Sequence, residues 1–231
     1  MQFGAGPAEP SARSPGAAPC SSSAACPCPA ADVVPAAVGR LTRRIRVRLV
    51  VVILRGIHDH FTDSDPGVWV QRFGKSDSAE ELTSLLHRAY ADHAVAGRRF
   101  FASYQSVRDT AHRVGTGECW LAFRGGKLVG SVTVAAPHVT PEDYPAPAGA
   151  GSFWQLAVDP ACQGVGLGQL LLTLAEERIV ALGSTVAVID TSAEAVELVR
   201  WYRRRGYLPI GTWRWDVTNY ESVVLLKNLA A

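Results

Sequence analysis

No stretch of this 231-residue chain is both apolar and long. The run from Leu49 to Leu54 has six residues, far below the ~20 that span a bilayer and shorter than the apolar heart of a signal peptide. Thr42-Arg43-Arg44 is followed by no adequate apolar stretch and no small-residue cleavage site. No membrane span and no export signal are therefore expected, and the expected location is cytoplasmic. Paired Cys-x-x-Cys elements are also missing. Of the five cysteines, Cys20, Cys26 and Cys28 sit in low-complexity sequence, and Cys119 and Cys162 stand apart. An odd number so placed speaks against a zinc site and suits a reducing compartment. The six His show no ligand spacing, so no metal is expected. Excess charge is absent from the main body. Residues 68–231 carry 16 Lys/Arg and 16 Asp/Glu, which argues against nucleic acid as a partner, because phosphate neutralisation dominates that binding. No internal repeat is visible.

What is present divides into three parts. Residues 1–37 are Ala, Pro, Ser, Gly and Cys without periodicity, too poor in apolar surface to offset ordering entropy, and a disordered tail is expected. Residues 38–67 form a basic extension or linker, with six Arg and no acid between 40 and 55. The composition changes sharply near Val68, and Met1 is the sole Met, which fits a leader added by an upstream start; residues 1–67 are then not native. From Val68 to the end, α and β signals alternate. Val68–Phe73 reads as a strand. Ser76-Asp77-Ser78 offers N-caps to a helix with Leu82, Leu85, Leu86, Ala89, Tyr90 and His93 at helical spacing. Gln105–Val114 reads as a short second helix. Cys119–Phe123 and Leu128–Val134 form a hairpin. Pro137–Gly151, with its Pro and Gly, is a long loop of the kind that often carries function. Phe153–Val158 is a strand, Gln169–Leu182 a helix, and Thr185–Ile189 a buried strand. Thr191-x-x-Glu194 has the spacing of a capping box for a helix running to Arg205. Tyr207–Trp215 and Ser222–Leu226 are the last two strands.

The most informative stretch is Gln163-Gly164-Val165-Gly166-Leu167-Gly168. It lies between a strand and a helix, where backbone N–H groups can converge on an anion. Glycine leaves that backbone bare and free to take positive φ. A Walker A loop is excluded, since no Lys follows Gly168. A dinucleotide loop is excluded too, since its third Gly would fall at Gln169 or Leu171. The pattern that fits is Gln/Arg-x-x-Gly-x-Gly/Ala behind Leu156-Ala157-Val158-Asp159-Pro160. With the β-α-α-β-β-β-α-β-α-β-β order, the chain from Val68 to about Asn228 resembles the GCN5-related N-acetyltransferase (GNAT) superfamily.

That resemblance implies an α/β (α+β) fold with a mixed, mostly antiparallel sheet flanked by helices and splayed at its two central parallel strands. It implies acetyl-CoA as cosubstrate and direct transfer of the acetyl group to a primary amine, without an acyl-enzyme. The cofactor would meet Leu156, Ala157 and Val158, whose edge pairs with the pantetheine arm, and Gln163, Gly164, Val165, Gly166, Leu167, Gly168 and Gln169 at its pyrophosphate. Tyr202, four residues before Gly206-Tyr207, matches the family's general acid. The Glu that the histone-acetylating branch of the family carries four residues before the Leu-Ala-Val equivalent is replaced here by Ser152, and Gln155 cannot act as a base. Glu142, Asp143, Asp190 or a water relay remain for that role. Arg200, Arg203, Arg204 and Arg205 are candidates for the cofactor's 3′-phosphate or a solvated basic face. Acceptor walls are expected from His87, Tyr90, His93, Arg98, Phe101 and Tyr104, from the Pro-rich loop, and from Trp213, Trp215 and Tyr220. The expected partners are acetyl-CoA and a small-molecule amine, with the chain a monomer or homodimer. The alternatives are a non-catalytic acyl-CoA sensor and an acetyltransferase acting on protein termini or lysines.

Overall fold

The computed structural model describes residues 67–229, and the expectations for residues 1–66 lie outside it. In chain order the elements are β1 (Trp69–Arg72), α1 (Ala79–Val95), α2 (Val107–Gly115), β2 (Glu118–Arg124), β3 (Lys127–Ala135), β4 (Ser152–Val158), α3 (Leu167–Ala181), β5 (Val186–Ser192), α4 (Val196–Arg203), β6 (Leu208–Trp213) and β7 (Ser222–Asn228). This is the order expected from the sequence. Helix α1 begins at the Ser78 cap, whose hydroxyl accepts from the Glu81 amide at 3.1 Å. It buries Leu82, Leu85, Leu86 and Tyr90 on one stripe. Ser106 and Asp109 form a reciprocal capping box that starts α2.

The strands make two antiparallel sheets, ordered β1-β2-β3-β4 and β5-β7-β6. The inner edges, β4 and β5, run parallel and are tied at one point. There Gly151 donates to the Val186 carbonyl and accepts from the Val188 amide, each at 2.9 Å. Beyond that tie no ladder joins them, so the expected splay between two central parallel strands is present. A side chain at Gly151 would come within 2.5 Å of Ile179 on α3. Glycine thus lets the helix press on the hinge of the two sheets.

One core cluster lies under α3 and spans both sheets, with Val132, Val134 and Phe153 from one, Ile189 and Leu225 from the other, and Leu171, Ala175 and Ile179 from the helix. A second lies under α1 around Leu82, Leu85, Leu86, Leu121 and Phe100. A third backs the small sheet with Tyr144, Val188, Trp215 and Val224. The gap between the sheets therefore has α3 on one face, and α1, α2 and the Pro-rich loop on the other.

Two local expectations are corrected. The capping box at Thr191 does not form. β5 pairs with β7 through Thr191↔Val223 and Ser192↔Ser222, so Thr191 belongs to a strand, and α4 starts at Val196 with no side-chain cap. Seven consecutive ladder pairs outweigh one local motif. Helix α3 begins at Leu167, two residues before Gln169.

Candidate active site

Strand β4 carries a bulge. Ser131 faces Ala157 and Thr133 faces Trp154, so β4 holds one residue more than its partner. Gln155 takes up that residue at φ 52°. It is completely buried. Its side-chain oxygen accepts from the Thr133 hydroxyl at 2.8 Å, and its carbonyl accepts from the Ser131 hydroxyl at 2.8 Å. Downstream, the Asp159 amide bonds to Val129 on β3. Strand alternation then turns the backbone groups of Leu156 and Val158 away from β3 and into the gap. Two side chains reach that edge. The Tyr90 hydroxyl donates to the Leu156 carbonyl at 2.8 Å, and the Gln163 amide donates to the Val158 carbonyl at 3.3 Å.

The chain leaves β4 through Asp159, which caps a 3₁₀ turn at Pro160–Cys162 and pairs with Arg88 of α1 at 2.8 Å. That ion pair anchors the entry to the glycine loop. Gly164 and Gly166 stand at φ 80° and 88°, a region an ordinary L-residue enters at a cost of ~1–2 kcal/mol. Gly166 is the N-cap of α3, and the first intrahelical bond runs from the Leu170 amide to the Gly166 carbonyl. The amides of Leu167, Gly168 and Gln169 thus form the open end of a 15-residue helix.

These pieces share one cleft of about 680 Å³. Leu156, Ala157, Val158, Gln163, Gly164, Gly166, Gly168 and Gln169 line it, as does Tyr202. Two of the ten sequence-predicted contacts do not present side chains there. Leu167 is buried in the α3 core and Val165 faces solvent, so each could contribute only its amide. The opposite wall is one face of α4, formed by Glu197, Leu198, Trp201, Tyr202 and Arg205. Of the four arginines considered, Arg205 alone lines the cleft. Its guanidinium lies 3.8 Å over the Trp201 ring and donates to Gln169 at 3.1 Å. Arg200 instead pairs with Glu197 at 2.5 Å on the exposed side. Trp201 and Glu197 were not singled out from the sequence, although they share helical spacing with Tyr202.

Tyr202 packs in an aromatic corner against Phe153, Trp201 and Tyr207. Burial, aided by the Asp190 charge and opposed by Arg205, holds its phenol well above its ordinary pKa. It is protonated at any physiological pH. His93 closes the α1 end of the cleft beside Tyr90. Burial and Arg98, whose guanidinium lies 3.3 Å from the ring Nδ1, hold His93 below its ordinary pKa and favour the neutral ring.

Across the gap the groups are side chains. Asp190 sits inside β5 rather than capping a turn. It accepts from Trp215 Nε1 at 3.0 Å and Tyr144 at 3.3 Å. Arg113 donates to the fully buried Gln105 at 2.6 Å. Asn219 stitches the loop after α1 to the β6–β7 turn, accepting from the Arg99 amide at 2.7 Å and donating to the Gly97 carbonyl at 2.9 Å. Of the expected acceptor walls, Tyr90 and His93 turn to the cleft described above. Glu142 and Asp143 are exposed on the Pro-rich loop and line no part of that cleft. Among the described residues no group of three His, Cys, Asp or Glu could hold a metal, and no helix is long and apolar enough to cross a membrane. Burial pushes the Cys119 thiol up to about 12, so it is not a nucleophile; Cys162 is free and half-buried.

A phosphorylated, amide-bearing ligand fits this cleft. It offers a glycine-bared helix end for phosphate, an unpaired strand edge for amides, and a protonated phenol at the far wall. Residues 79–207 match the acetyltransferase (GNAT) family, and the chain belongs to that family. S-(2-succino)cysteine N-acetyltransferase of Bacillus subtilis (strain 168) is 28% identical over 144 residues, covering 61% of this chain and 84% of that protein. Mycothiol acetyltransferase of Cellulomonas flavigena is 30% identical over 143 residues, 62% of this chain; the chain spans only 41% of that relative. A GNAT family acetyltransferase from Streptococcus agalactiae 2603 has the same fold, with a TM-score of 0.57 over 72% of this chain and 98% of that one, at 17% identity. The chain is thus an N-acetyltransferase-type acyltransferase, of a family that uses acetyl-CoA.

Proposed function

We propose that this protein is a cytoplasmic enzyme that transfers the acetyl group of acetyl-CoA to the primary amine of a small molecule. One observation carries this reading: the glycine loop, the open edge of β4 and Tyr202 border a single cleft. When bound, acetyl-CoA supplies the acyl group as a thioester. The amides of Gly164 to Gln169 hold its pyrophosphate, and Arg205 adds positive charge at the rim. Leu156 and Val158 pair with the pantetheine arm as a strand would. A gap-facing amide of β4 polarises the thioester carbonyl. The Tyr202 hydroxyl donates a hydrogen bond to the departing sulfur. Its raised pKa keeps the proton in place and lowers the driving force for giving it up, so Tyr202 acts chiefly by hydrogen bonding to sulfur as charge develops there.

The balanced charge of residues 68–231 favours a small acceptor over a protein tail. The relatives named for S-substituted cysteines make that class the first to assay. The test is thiol release from acetyl-CoA across a panel of S-substituted cysteines, simple amines, lysyl peptides and peptide N-termini. Turnover confined to small amines is the expected result. Fastest turnover on peptides would replace the small-molecule reading. Tight cofactor binding with no turnover on any amine would point to a sensor.

A further inference from the structure

Gln155 is the only non-glycine at positive φ among the described residues, at 52°. Its side-chain Nε2 is also buried without a hydrogen-bond partner. Both features cost stability. They fall on one residue, at the bulge of the strand that borders the cleft. The neighbouring strand clasps that residue twice. Ser131 and Thr133 stand two apart on β3 and so present their hydroxyls to the same face. The Ser131 hydroxyl donates to the Gln155 carbonyl, and the Thr133 hydroxyl to the Gln155 Oε1, each at 2.8 Å. All three residues are fully buried. Packing alone would accept Ala and Val in place of Ser131 and Thr133.

The clasp sets the direction of one amide. The peptide between Gln155 and Leu156 is trans, so its C=O and N–H point in opposite directions. Ser131 pins the carbonyl on the β3 side. The Leu156 N–H therefore points away from β3 and into the gap. The Leu156 carbonyl faces the gap as well, because the Tyr90 hydroxyl, which lines the cleft, donates to it at 2.8 Å. Tyr202 borders the same cleft. It is also close to Tyr90, whose phenol is raised above its ordinary pKa by burial first and by Tyr202 next. The aimed amide and the Tyr202 hydroxyl thus face one space.

We propose that Ser131 and Thr133 are positioning residues for acetyl transfer: through Gln155 they aim the Leu156 amide at the oxygen of the thioester. This rests on the acetyl-transfer reading above. As an amine attacks the thioester carbon, negative charge gathers on that oxygen. A donor fixed in advance stabilises the charge without having to reorganise, and a misplacement of about 1 Å forfeits much of the effect. Ser131 also acts along the peptide, since a hydroxyl on its C=O polarises the unit and makes the N–H a stronger donor. Thr133 keeps Gln155 from relaxing to an ordinary extended conformation. Coenzyme A lacks the acetyl oxygen, so the clasp should matter to the acyl group and not to the rest of the ligand.

The test reads the carbonyl itself. Acetyl-CoA isotope-labelled at its acetyl carbonyl is bound to the full chain, and the carbonyl stretch is followed by difference infrared spectroscopy, which needs no acceptor. The wild type should hold the stretch below its position in water. Ser131→Ala should return it toward the water position and lower kcat on the best amine of the panel by about 10- to 100-fold, short of the loss on removing a donor outright. Affinity for coenzyme A, by titration calorimetry, should stay within about twofold. Thr133→Val should act in the same direction, by about three- to tenfold in kcat. Thr133→Ser restores a hydroxyl and should recover most of that loss. The Thr133 pair carries the test if Ser131→Ala fails to fold by circular dichroism. A wild-type stretch at its water position would overturn the proposal. So would an equal loss of kcat in Thr133→Val and Thr133→Ser, or a fall in coenzyme A affinity as large as the fall in kcat. A stretch that follows the hydroxyls while no amine is acetylated would leave the aimed amide standing and sink acetyl transfer. Acetylation with a stretch that neither Ser131→Ala nor Thr133→Val moves would do the reverse.

Discussion

The two sides of the gap between the sheets are built from different material. The proposed donor side is mostly backbone: the edge of β4 at Leu156 and Val158, two glycines at positive φ, and the first amides of α3. The other side is mostly side chain, with Arg113, Asp190, Tyr144, Trp215 and Tyr220 drawn from four separate segments. Backbone offers the same groups whatever the sequence, so a site made of it serves one constant ligand. Side chains can be exchanged one at a time, so a site made of them can follow a changing acceptor.

Four measurements probe the two sides further. The largest effect belongs to Tyr202, the one side chain on the donor side with a proposed chemical role. Tyr202→Phe should lower kcat about 10²- to 10³-fold and leave the KM for acetyl-CoA nearly unchanged; a kcat within threefold of wild type would remove it from the chemistry. Gly166→Val comes next. Forcing a β-branched residue to φ 88° costs ~1–2 kcal/mol and misaligns the amides behind it. Coenzyme A should bind at least about tenfold more weakly, with the circular dichroism spectrum unchanged. Loss of the folded spectrum as well would mean that the loop holds the fold rather than the donor.

Alkaline pH probes both sides together. Burial raises the phenols of Tyr90, Tyr202, Tyr207 and Tyr220. The unfolded chain therefore releases these protons from about pH 10, while the folded chain keeps them. Stability is fully present below that pH and falls as pH rises through it, by up to about 1.4 kcal/mol per tyrosine and pH unit. Thermal melts from pH 8 to 11 should show a flat Tm and then a steep drop. A flat Tm to pH 11 would mean the phenols are solvated. The smallest effect is expected from Arg205→Met, about two- to fivefold in KM for acetyl-CoA, as befits a cation at a solvated rim.

The contrast also explains what could be read in advance. The shape of the glycine loop was legible because it lies in consecutive residues: positions 163–168 fix spacing, conformation and helix start together. The motif Tyr202 was legible for the same reason, being tied to Gly206-Tyr207 a turn later. The bulge at Gln155 left no mark, since a Gln in a strand is ordinary and the extra residue is defined only by pairing with β3. Thr191 misled because its spacing to Glu194 is a genuine helix-start signal that a seven-pair ladder with β7 overrides. Arg113 was invisible as a buried residue because an Arg on a short amphipathic helix normally faces water, and only the packing of α2 beside Gln105 and Phe101 turns it inward. Trp201 is the intermediate case: its helical spacing with Tyr202 and Arg205 was on view and would have placed it in the cleft.

The account turns on the open edge of β4 and the open end of α3 receiving one ligand. Hydrogen exchange of individual backbone amides, with and without coenzyme A, tests this most directly. The account predicts that the amides of Leu156, Val158, Leu167, Gly168 and Gln169 slow together on addition of coenzyme A, while those of β6 and β7 do not change. Coenzyme A binding that leaves those five amides unprotected, or protects a different surface, would contradict it.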